Sequence, residues 1–193
     1  MTRHLKPMLA LSLLCLVPAI ASAAEPTTED FLAHRSGYMS LVPGQTVQLP
    51  ALRGHGQVAP LAAEVTQTYM FGNWTSGWLI YSIGKLYGSS VPVPLPSFLH
   101  SVYDPDHYSG AAQARVPTFT PWVQIFGYTT NPNDIYGWAK TCTWEVDVRI
   151  ADGVCTALVT ASVYGQQGAT CLLNNSSSVD PITCQLFVGV GIQ

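Results

Sequence analysis

Four of the five cysteines of this chain lie in its last quarter, inside segments in which apolar and polar residues alternate. In residues 142–150 the even positions are Cys, Trp, Val, Val and Ile, whereas the odd positions are Thr, Glu, Asp and Arg. A period of two is typical of a strand with one buried face, so Cys142 is predicted to point into the core. The segments 155–163 and 184–190 have the same period, and each begins with a cysteine in phase with its apolar residues.

An Asp-Gly pair at 152–153 separates the first two of these segments. Both central residues of a type I′ turn need a positive φ angle, which Asp and Gly tolerate, so the pair predicts a two-residue hairpin loop. This loop places Ile150 opposite Cys155 and Cys142 opposite Val163. In that register the apolar positions of both strands face the same side, so the turn and the burial pattern predict the same hairpin.

The hairpin limits which cysteines can form disulfides, because four cysteines allow three pairings. Cys142 and Cys155 would be roughly 27 Å apart along the strands, at about 3.4 Å per residue, whereas a bridge needs Cα atoms within about 7 Å. Of the two remaining pairings we favour Cys142 with Cys171 and Cys155 with Cys184, because a turn at 165–168 returns the chain toward Cys142. The other pairing, Cys142 with Cys184, stays open.

Three regions divide the chain. Residues 1–23 resemble an export signal, with basic residues, an apolar run and a small-residue cleavage site, so we expect a secreted or periplasmic protein. Disulfides form in such oxidising compartments. Residues 24–60, rich in Pro, Gly and Thr, are predicted to form an extended N-terminal arm with at most one or two edge strands. Residues 61–193 are predicted to form a disulfide-stabilised β domain.

Short strand-like segments separated by Gly, Pro and Asn recur along this domain. Such spacing is typical of an all-β fold, so we predict a single antiparallel β-sandwich, or a barrel-like variant, with two disulfides. A short helical turn is expected only at 111–114. The predicted strands are 64–71, 78–83, 98–103, 120–128, 142–150, 155–163 and 184–190.

The composition argues against a polyanionic partner. Charged residues make up 10% of the chain, compared with about 25% in a typical protein. Without residues 1–23 the chain has six Lys and Arg residues against eleven Asp and Glu residues, a net charge of 6 − 11 = −5. It has no run of basic residues, so we expect no nucleic-acid binding. No feature of the sequence indicates whether the chain is a monomer or an oligomer.

Two histidines and two aspartates lie close together at His100, Asp104, Asp106 and His107. Imidazole and carboxylate groups suit a divalent metal or a general acid and base, so these four residues are the candidate metal ligands. Their spacing matches neither His-Glu-x-x-His nor an EF-hand loop. The competing interpretation is a solvated turn that begins at the Asp-Pro pair. No other cofactor is expected.

Aromatic residues form a second group of candidates. The segment 122–128 has one aromatic face, so it is either a central strand or a strand that meets a ligand. Rings next to amides and carboxylates can stack on sugars while the polar groups bind hydroxyls, although core packing competes as an explanation for each ring. Trp74 and Trp138, next to Gly and Asn, are expected at the surface. The candidate ligand-binding residues are Trp74, Trp78, Asn133, Asp134, Tyr136 and Trp138.

Three functions follow from these observations. The first is a non-enzymatic binding protein whose aromatic loops engage a glycan or a protein surface. The second is a metal-dependent hydrolase that uses the cluster at 100–107. The third is a toxin-like protein that inserts the segment 76–96, which is uncharged except for Lys85, into a membrane. The sequence has neither a Gly-x-Ser-x-Gly nucleophile elbow nor a glycine-rich phosphate loop, so an enzyme is the less supported class.

Overall fold

The computed structural model describes residues 35–52, 63–88, 91–104 and 106–193. The predicted signal peptide 1–23 and residues 24–34 and 53–60 of the predicted arm lie outside the described residues. The described residues form thirteen strands, which are β1 (Tyr38–Leu41), β2 (Thr46–Gln48), β3 (Glu64–Asn73), β4 (Ile80–Gly88), β5 (Val91–Pro94), β6 (Phe98–Leu99), β7 (Ser109–Pro117), β8 (Trp122–Thr129), β9 (Thr141–Ala151), β10 (Val154–Tyr164), β11 (Cys171–Asn174), β12 (Ser178–Val179) and β13 (Leu186–Ile192).

The strands form two sheets that pack against each other, so the predicted all-β sandwich is confirmed. The first sheet has six strands in the order β1-β11-β13-β3-β7, with β12 paired to β13. The second sheet has seven strands in the order β2-β10-β9-β8-β4-β5, with β6 paired to β4. Among the strands of the described segments, β13 and β3 are the one parallel pair.

Buried aromatic side chains fill the space between the sheets. Tyr69 and Phe71 of β3 contact Phe126 of β8 edge to face, with ring centroids 5.3 and 5.6 Å apart. Trp144 of β9 stacks on Phe126 at 6.1 Å and is fully buried. Offset and edge-to-face pairs of this kind add to the energy of apolar burial. The aromatic face of β8 is therefore core, and β8 is a central strand between β9 and β4.

The β9–β10 hairpin has the predicted register. Ile150 pairs with Cys155, and Cys142 pairs with Val163. The two turn residues, at 152 and 153, have φ angles of 52° and 74°, as a type I′ turn requires. The inward positions of β9 are buried and its outward Glu145 is exposed, so the alternation in the sequence correctly identified the two faces.

Both predicted disulfides are present. One joins the two sheets directly, and the other joins the second sheet to the segment just before β13 of the first sheet. Cys142 of β9 is bonded to Cys171 of β11, with Cα atoms 5.6 Å apart. Cys155 of β10 is bonded to Cys184, two residues before β13, with Cα atoms 5.3 Å apart. Because the two bridges lie near opposite ends of the hairpin, they hold it against the first sheet along its whole length.

Strand β4 crosses from one sheet toward the other and makes the fold barrel-like on one side. It pairs with β8 only in its first half, and it bends at Gly84, where φ is 88°. Beyond the bend, the side-chain amide of Gln124 replaces a strand partner, because it accepts a hydrogen bond from the Tyr87 amide at 2.7 Å and donates one to the Tyr87 carbonyl. Gly88 then lies against Ala114 of β7.

Two local predictions need correction. Residues 111–114, expected as a helical turn, belong to β7, which is held by nine residue pairs with β3. The Ala and Gln residues there favour no strand on their own, so pairing with the neighbouring strand decides their conformation. The strand expected at 98–103 is only the two-residue β6, because the chain turns at 102–104. Within residues 35–52 the arm does form two edge strands, β1 and β2.

We expect the two disulfides to stabilise the fold by similar amounts. Each bridge joins cysteines separated by 29 positions, so the loss of either pair should lower the free energy of unfolding by about 3–4 kcal/mol through the entropy of the unfolded chain. The test is urea unfolding of the double variants Cys142→Ala with Cys171→Ala and Cys155→Ala with Cys184→Ala. A double variant that unfolds at the same urea concentration as the parent would contradict this expectation.

Candidate functional site

One end of the sandwich is here called the loop end, because it carries the connections 74–79, 100–108 and 130–140. The strand pairs Tyr81 with Thr129, Thr129 with Thr141, and Thr141 with Tyr164 place one end of β4, β8, β9 and β10 together. The end of β3 lies beside the start of β7 at the same end. The candidate site residues all lie on connections at this end, which are the loops 74–79, 100–108 and 130–140. A further turn, 165–170, completes it.

The connection from β8 to β9, residues 130–140, is called the aromatic loop. Its two ends bind each other, because the Thr130 amide donates to the Lys140 carbonyl and the Lys140 amide donates to the Thr130 hydroxyl, both at 2.9 Å. The Thr141 hydroxyl donates to the Ile135 carbonyl at 2.9 Å. Asp134 Oδ1 accepts the amide of Gly137 at 2.9 Å. Backbone groups in the loop are thus paired internally, which holds it in one shape.

The aromatic loop also rests on the turn after β10. The amides of Gln166 and Gln167 donate to the carbonyls of Gly137 and Ala139, at 2.8 and 3.1 Å. At Gly165, φ is 84° and a Cβ atom would lie 2.3 Å from the Ala139 carbonyl oxygen, so the close contact requires glycine. Cys142, which is bonded to Cys171, is the second residue of β9 and follows the aromatic loop almost directly.

Two aromatic side chains of this loop are exposed. Tyr136 and Trp138 each have 68% of their surface accessible to solvent. Tyr136 contacts the partly exposed Tyr164 edge to face, with ring centroids 5.4 Å apart. Asn133 and Asp134 lie on the same loop and are also exposed. The structure therefore brings four of the six candidate ligand-binding residues together.

Trp74, expected at the surface, is buried with only 4% of its surface exposed, so that expectation was wrong. The indole lies over Gly72 and Gly191, where a Cβ atom would come within 2.8 and 2.7 Å of it. Tyr38 and Tyr108 contact it edge to face at 5.3 and 5.5 Å. Two glycines on adjacent strands thus make room for the ring, and Trp74 is a packing residue on the outer face of the first sheet.

Trp78 lies on a different connection, between β3 and β4, and is 48% exposed. The side chain of Asn73 holds this connection, because its amide donates to the Trp78 carbonyl at 2.8 Å. The hydroxyl of Thr75 donates to the Asn73 side-chain oxygen at 2.6 Å. Trp78 is therefore presented by a braced loop, although not by the loop that carries Tyr136 and Trp138.

The histidine and aspartate cluster is a hydrogen-bonded group on the 100–108 connection. His107 Nδ1 lies 3.0 Å from one oxygen of Asp104, and His100 Nδ1 lies 3.3 Å from the other. The hydrogen bond from His107 lowers the pKa of the Asp104 carboxyl, and the charges of both imidazoles act in the same direction. Asp106 adds a backbone hydrogen bond to this carboxyl. Within the residues that the structure describes, no group of three or more His, Cys, Asp or Glu is arranged to hold a metal ion.

The opposite end of the sandwich has a shallow cavity of about 300 Å³ that includes none of the candidate residues. It lies where the β4–β5 hairpin passes the end of β7 and the start of β8. Its walls include Tyr87, Val91, Val116, Pro117, Thr120 and Trp122.

The segment 76–96, considered above for membrane insertion, contains β4 and β5, which pair with each other. In the described part of the chain, no helix is long and apolar enough to cross a membrane.

Sequence reasoning missed Tyr164 as a member of the site. Tyr164 is the last residue of β10 and pairs with Thr141, directly after the aromatic loop. The hairpin register predicted from the Asp-Gly turn would have placed it there, since that register extends one pair beyond Cys142 and Val163. The contact of Tyr164 with Tyr136 depends on the path of the loop, for which the sequence has no signal.

We expect Trp74 to contribute much more than Trp138 to the free energy of unfolding. Trp74→Ala should lower the free energy of unfolding by about 3–5 kcal/mol, because it leaves a cavity against two glycines. Trp138→Ala should change it by no more than about 0.5 kcal/mol, because the ring is exposed. Urea unfolding followed by far-UV circular dichroism measures both. Equal losses in the two variants would place Trp138 in the core as well.

We expect the Asp104 carboxyl to titrate below its ordinary pKa of 3.8. Because its charged form is favoured in the folded protein, the contacts with His100 and His107 are present above the ordinary pKa and are lost as the pH falls through the lowered pKa. An NMR titration of the side-chain carboxyl carbon measures this value, and His107→Ala should move it back toward 3.8. An unshifted or raised Asp104 pKa in the parent would contradict the arrangement.

Comparison with known proteins adds no assignment to this site. No protein-family model, no curated protein and no solved structure matches the chain. The two disulfides fit an extracellular or periplasmic protein, since such bridges persist in oxidising compartments.

Proposed function

We propose that this chain is an exported, non-enzymatic binding protein that engages a carbohydrate through the aromatic loop, residues 130–140. Export is supported by the signal-like composition of residues 1–23 and by the two disulfides. The contact residues are Tyr136 and Trp138, with Asn133 and Asp134 beside them.

The observation that carries the proposal is the exposure of two large rings on a braced loop. Leaving an aromatic side chain in water forgoes the favourable burial that it gains in a core or against a ligand. Tyr136 and Trp138 are both 68% exposed, although the loop around them is held by hydrogen bonds to its own backbone and to the neighbouring turn. Because the loop is ordered before binding, a ligand would lose little entropy in fixing it.

The chemistry of the loop suits a neutral, hydroxyl-rich ligand. Aromatic rings contact the apolar faces of sugars, and amide and carboxylate groups bind the hydroxyls around them. Asn133 is exposed on the same loop as the rings, and Asp134 keeps a second carboxylate oxygen after accepting the Gly137 amide. Asp134 and Lys140 are the charged residues of 130–140, with opposite signs, so the loop has no net charge to select an ionic ligand.

A carbohydrate fits this surface better than a protein does. The buried centre of a protein interface is a continuous apolar area from which charged and small polar residues are depleted. On the aromatic loop Asn133, Asp134 and a glycine lie next to or between the rings. Alternating rings and hydrogen-bonding groups are what an oligosaccharide needs, since each sugar has apolar faces and polar edges.

The test is a panel of neutral oligosaccharides, with β-1,4-linked glucose, N-acetylglucosamine, xylose and mannose hexamers, titrated by isothermal calorimetry. We expect at least one hexamer to bind, and Trp138→Ala and Tyr136→Ala each to weaken that binding at least about tenfold, or about 1.4 kcal/mol. Tyr87→Ala is the matched control, because it removes an equally exposed tyrosine at the opposite end.

Absence of binding to every hexamer would contradict the proposal. So would binding that Trp138→Ala and Tyr136→Ala leave unchanged, because the ligand would then be held elsewhere. If the protein instead attaches to cells in a manner that protease treatment abolishes but enzymatic removal of the glycans leaves unchanged, the partner is a protein and the carbohydrate proposal is wrong.

A further inference from the structure

The second sheet carries an uninterrupted row of paired residues at the loop end. The row consists of Tyr164, Thr141, Thr129, Tyr81 and Phe98, each the direct Cα partner of the next. It crosses the five strands β10, β9, β8, β4 and β6. Four spacings of about 4.8 Å between neighbouring strands give this cross-strand row a length of about 19 Å.

The side chains of the cross-strand row face away from the core. Directly paired residues of antiparallel strands lie on the same face of a sheet. At the next pair along β4 and β6, Ile80 and Leu99 are buried between the sheets, so Tyr81 and Phe98 point outward. On β10 the odd positions are buried, which leaves Tyr164 on the outer face.

The middle of the row lies under the aromatic loop. Thr129 and Thr141 are buried although they face outward, and their hydroxyls lie 2.7 Å apart. The Thr141 hydroxyl reaches the Ile135 carbonyl, so the loop is seated on these two residues. The aromatic loop therefore covers the centre of the row, and Tyr136 contacts Tyr164 at one end of the row.

A second group of rings lies at the other end of the row. Phe98 is half exposed, and its ring centroid is 5.7 Å from that of His100. His100 in turn lies 5.5 Å from His107. Asp104 holds both imidazoles by their Nδ1 atoms, so the group is ordered. Rings thus flank the aromatic loop on both sides.

We infer that the binding surface is elongated, and that its ligand is a chain of several neutral sugars that extends from Tyr164 across the aromatic loop to Phe98. This inference rests on the proposed carbohydrate binding and adds the form of the ligand to it. Aromatic side chains at both ends of a row about 19 Å long, and on the loop that covers its centre, offer separate contacts to successive sugars. The five residues of the row are uncharged, so they suit a neutral chain.

The test uses the β-1,4-linked oligomer that binds in the panel, as its disaccharide and its hexasaccharide. The disaccharide is shorter than the row and the hexasaccharide covers it, so we expect the hexasaccharide to bind about tenfold more tightly, since stacking on one further ring accounts for such a factor. Phe98→Ala should reduce the affinity ratio between the two lengths to near one, whereas Phe98→Tyr and the control Tyr87→Ala should keep it. Thermal unfolding of each variant verifies that the fold is intact.

The outcomes separate this inference from the proposed function. If an oligosaccharide binds and Trp138→Ala weakens it, but the ratio between hexasaccharide and disaccharide stays the same in Phe98→Ala, the aromatic loop binds sugars and the elongated surface is wrong. If the parent shows no gain with length, the same conclusion holds. If neither length of any panel member binds, the proposed function itself fails.

Discussion

The two disulfides act on one hairpin, and the rest of the molecule is arranged around that constraint. β9 and β10 belong to the second sheet, yet each is bonded covalently to the chain of the first sheet, one near each end of the hairpin. The hairpin therefore cannot slide or rotate against the first sheet without breaking a bond. Cys142 is the second residue of β9, so one disulfide lies directly after the aromatic loop in the chain. This disulfide therefore fixes the end of the loop that carries the exposed rings.

Exposed rings on a loop usually collapse onto the nearest apolar surface, since burial of apolar area is favourable. The aromatic loop is prevented from collapsing in this way by hydrogen bonds. Its two ends bind each other through Thr130 and Lys140, and its later residues accept hydrogen bonds from the turn at 165–168. The hydroxyls of Thr129 and Thr141, which a flat sheet would leave in water, are instead covered by the loop. Polar contacts on the outer face of the sheet therefore keep the aromatic side chains in solvent.

Local patterns were sufficient for the parts of the fold that depend on neighbours in sequence. The Asp-Gly turn and the alternation around it predicted the hairpin and its register, and the strand length excluded a bridge between Cys142 and Cys155. The turn at 165–168 then favoured the pairing that the structure has. Trp74 was misplaced because its burial depends on Gly72 and Gly191, which become neighbours only through the parallel pairing of β3 with β13. The strand at 111–114 was misread for the same reason, since its conformation comes from its partner strand. The pattern within a single segment does not indicate which distant strand will pair with it.

The candidate site follows from a difference between the two ends of the sandwich. At one end the hairpin β9–β10 closes with a two-residue turn. Both turn residues have positive φ angles, which favour Asp, Asn or Gly, so this turn offers no further side chains for binding. At the loop end the connections 74–79, 100–108 and 130–140 are long enough to bind their own backbone and still expose rings. The adjacent strands β10, β9, β8, β4 and β6 all have one terminus at this end. Residues that are distant in sequence therefore lie together on one face. The carbohydrate binding proposed above therefore requires no cleft between domains, because strand pairing and the loops between paired strands bring these side chains to one face.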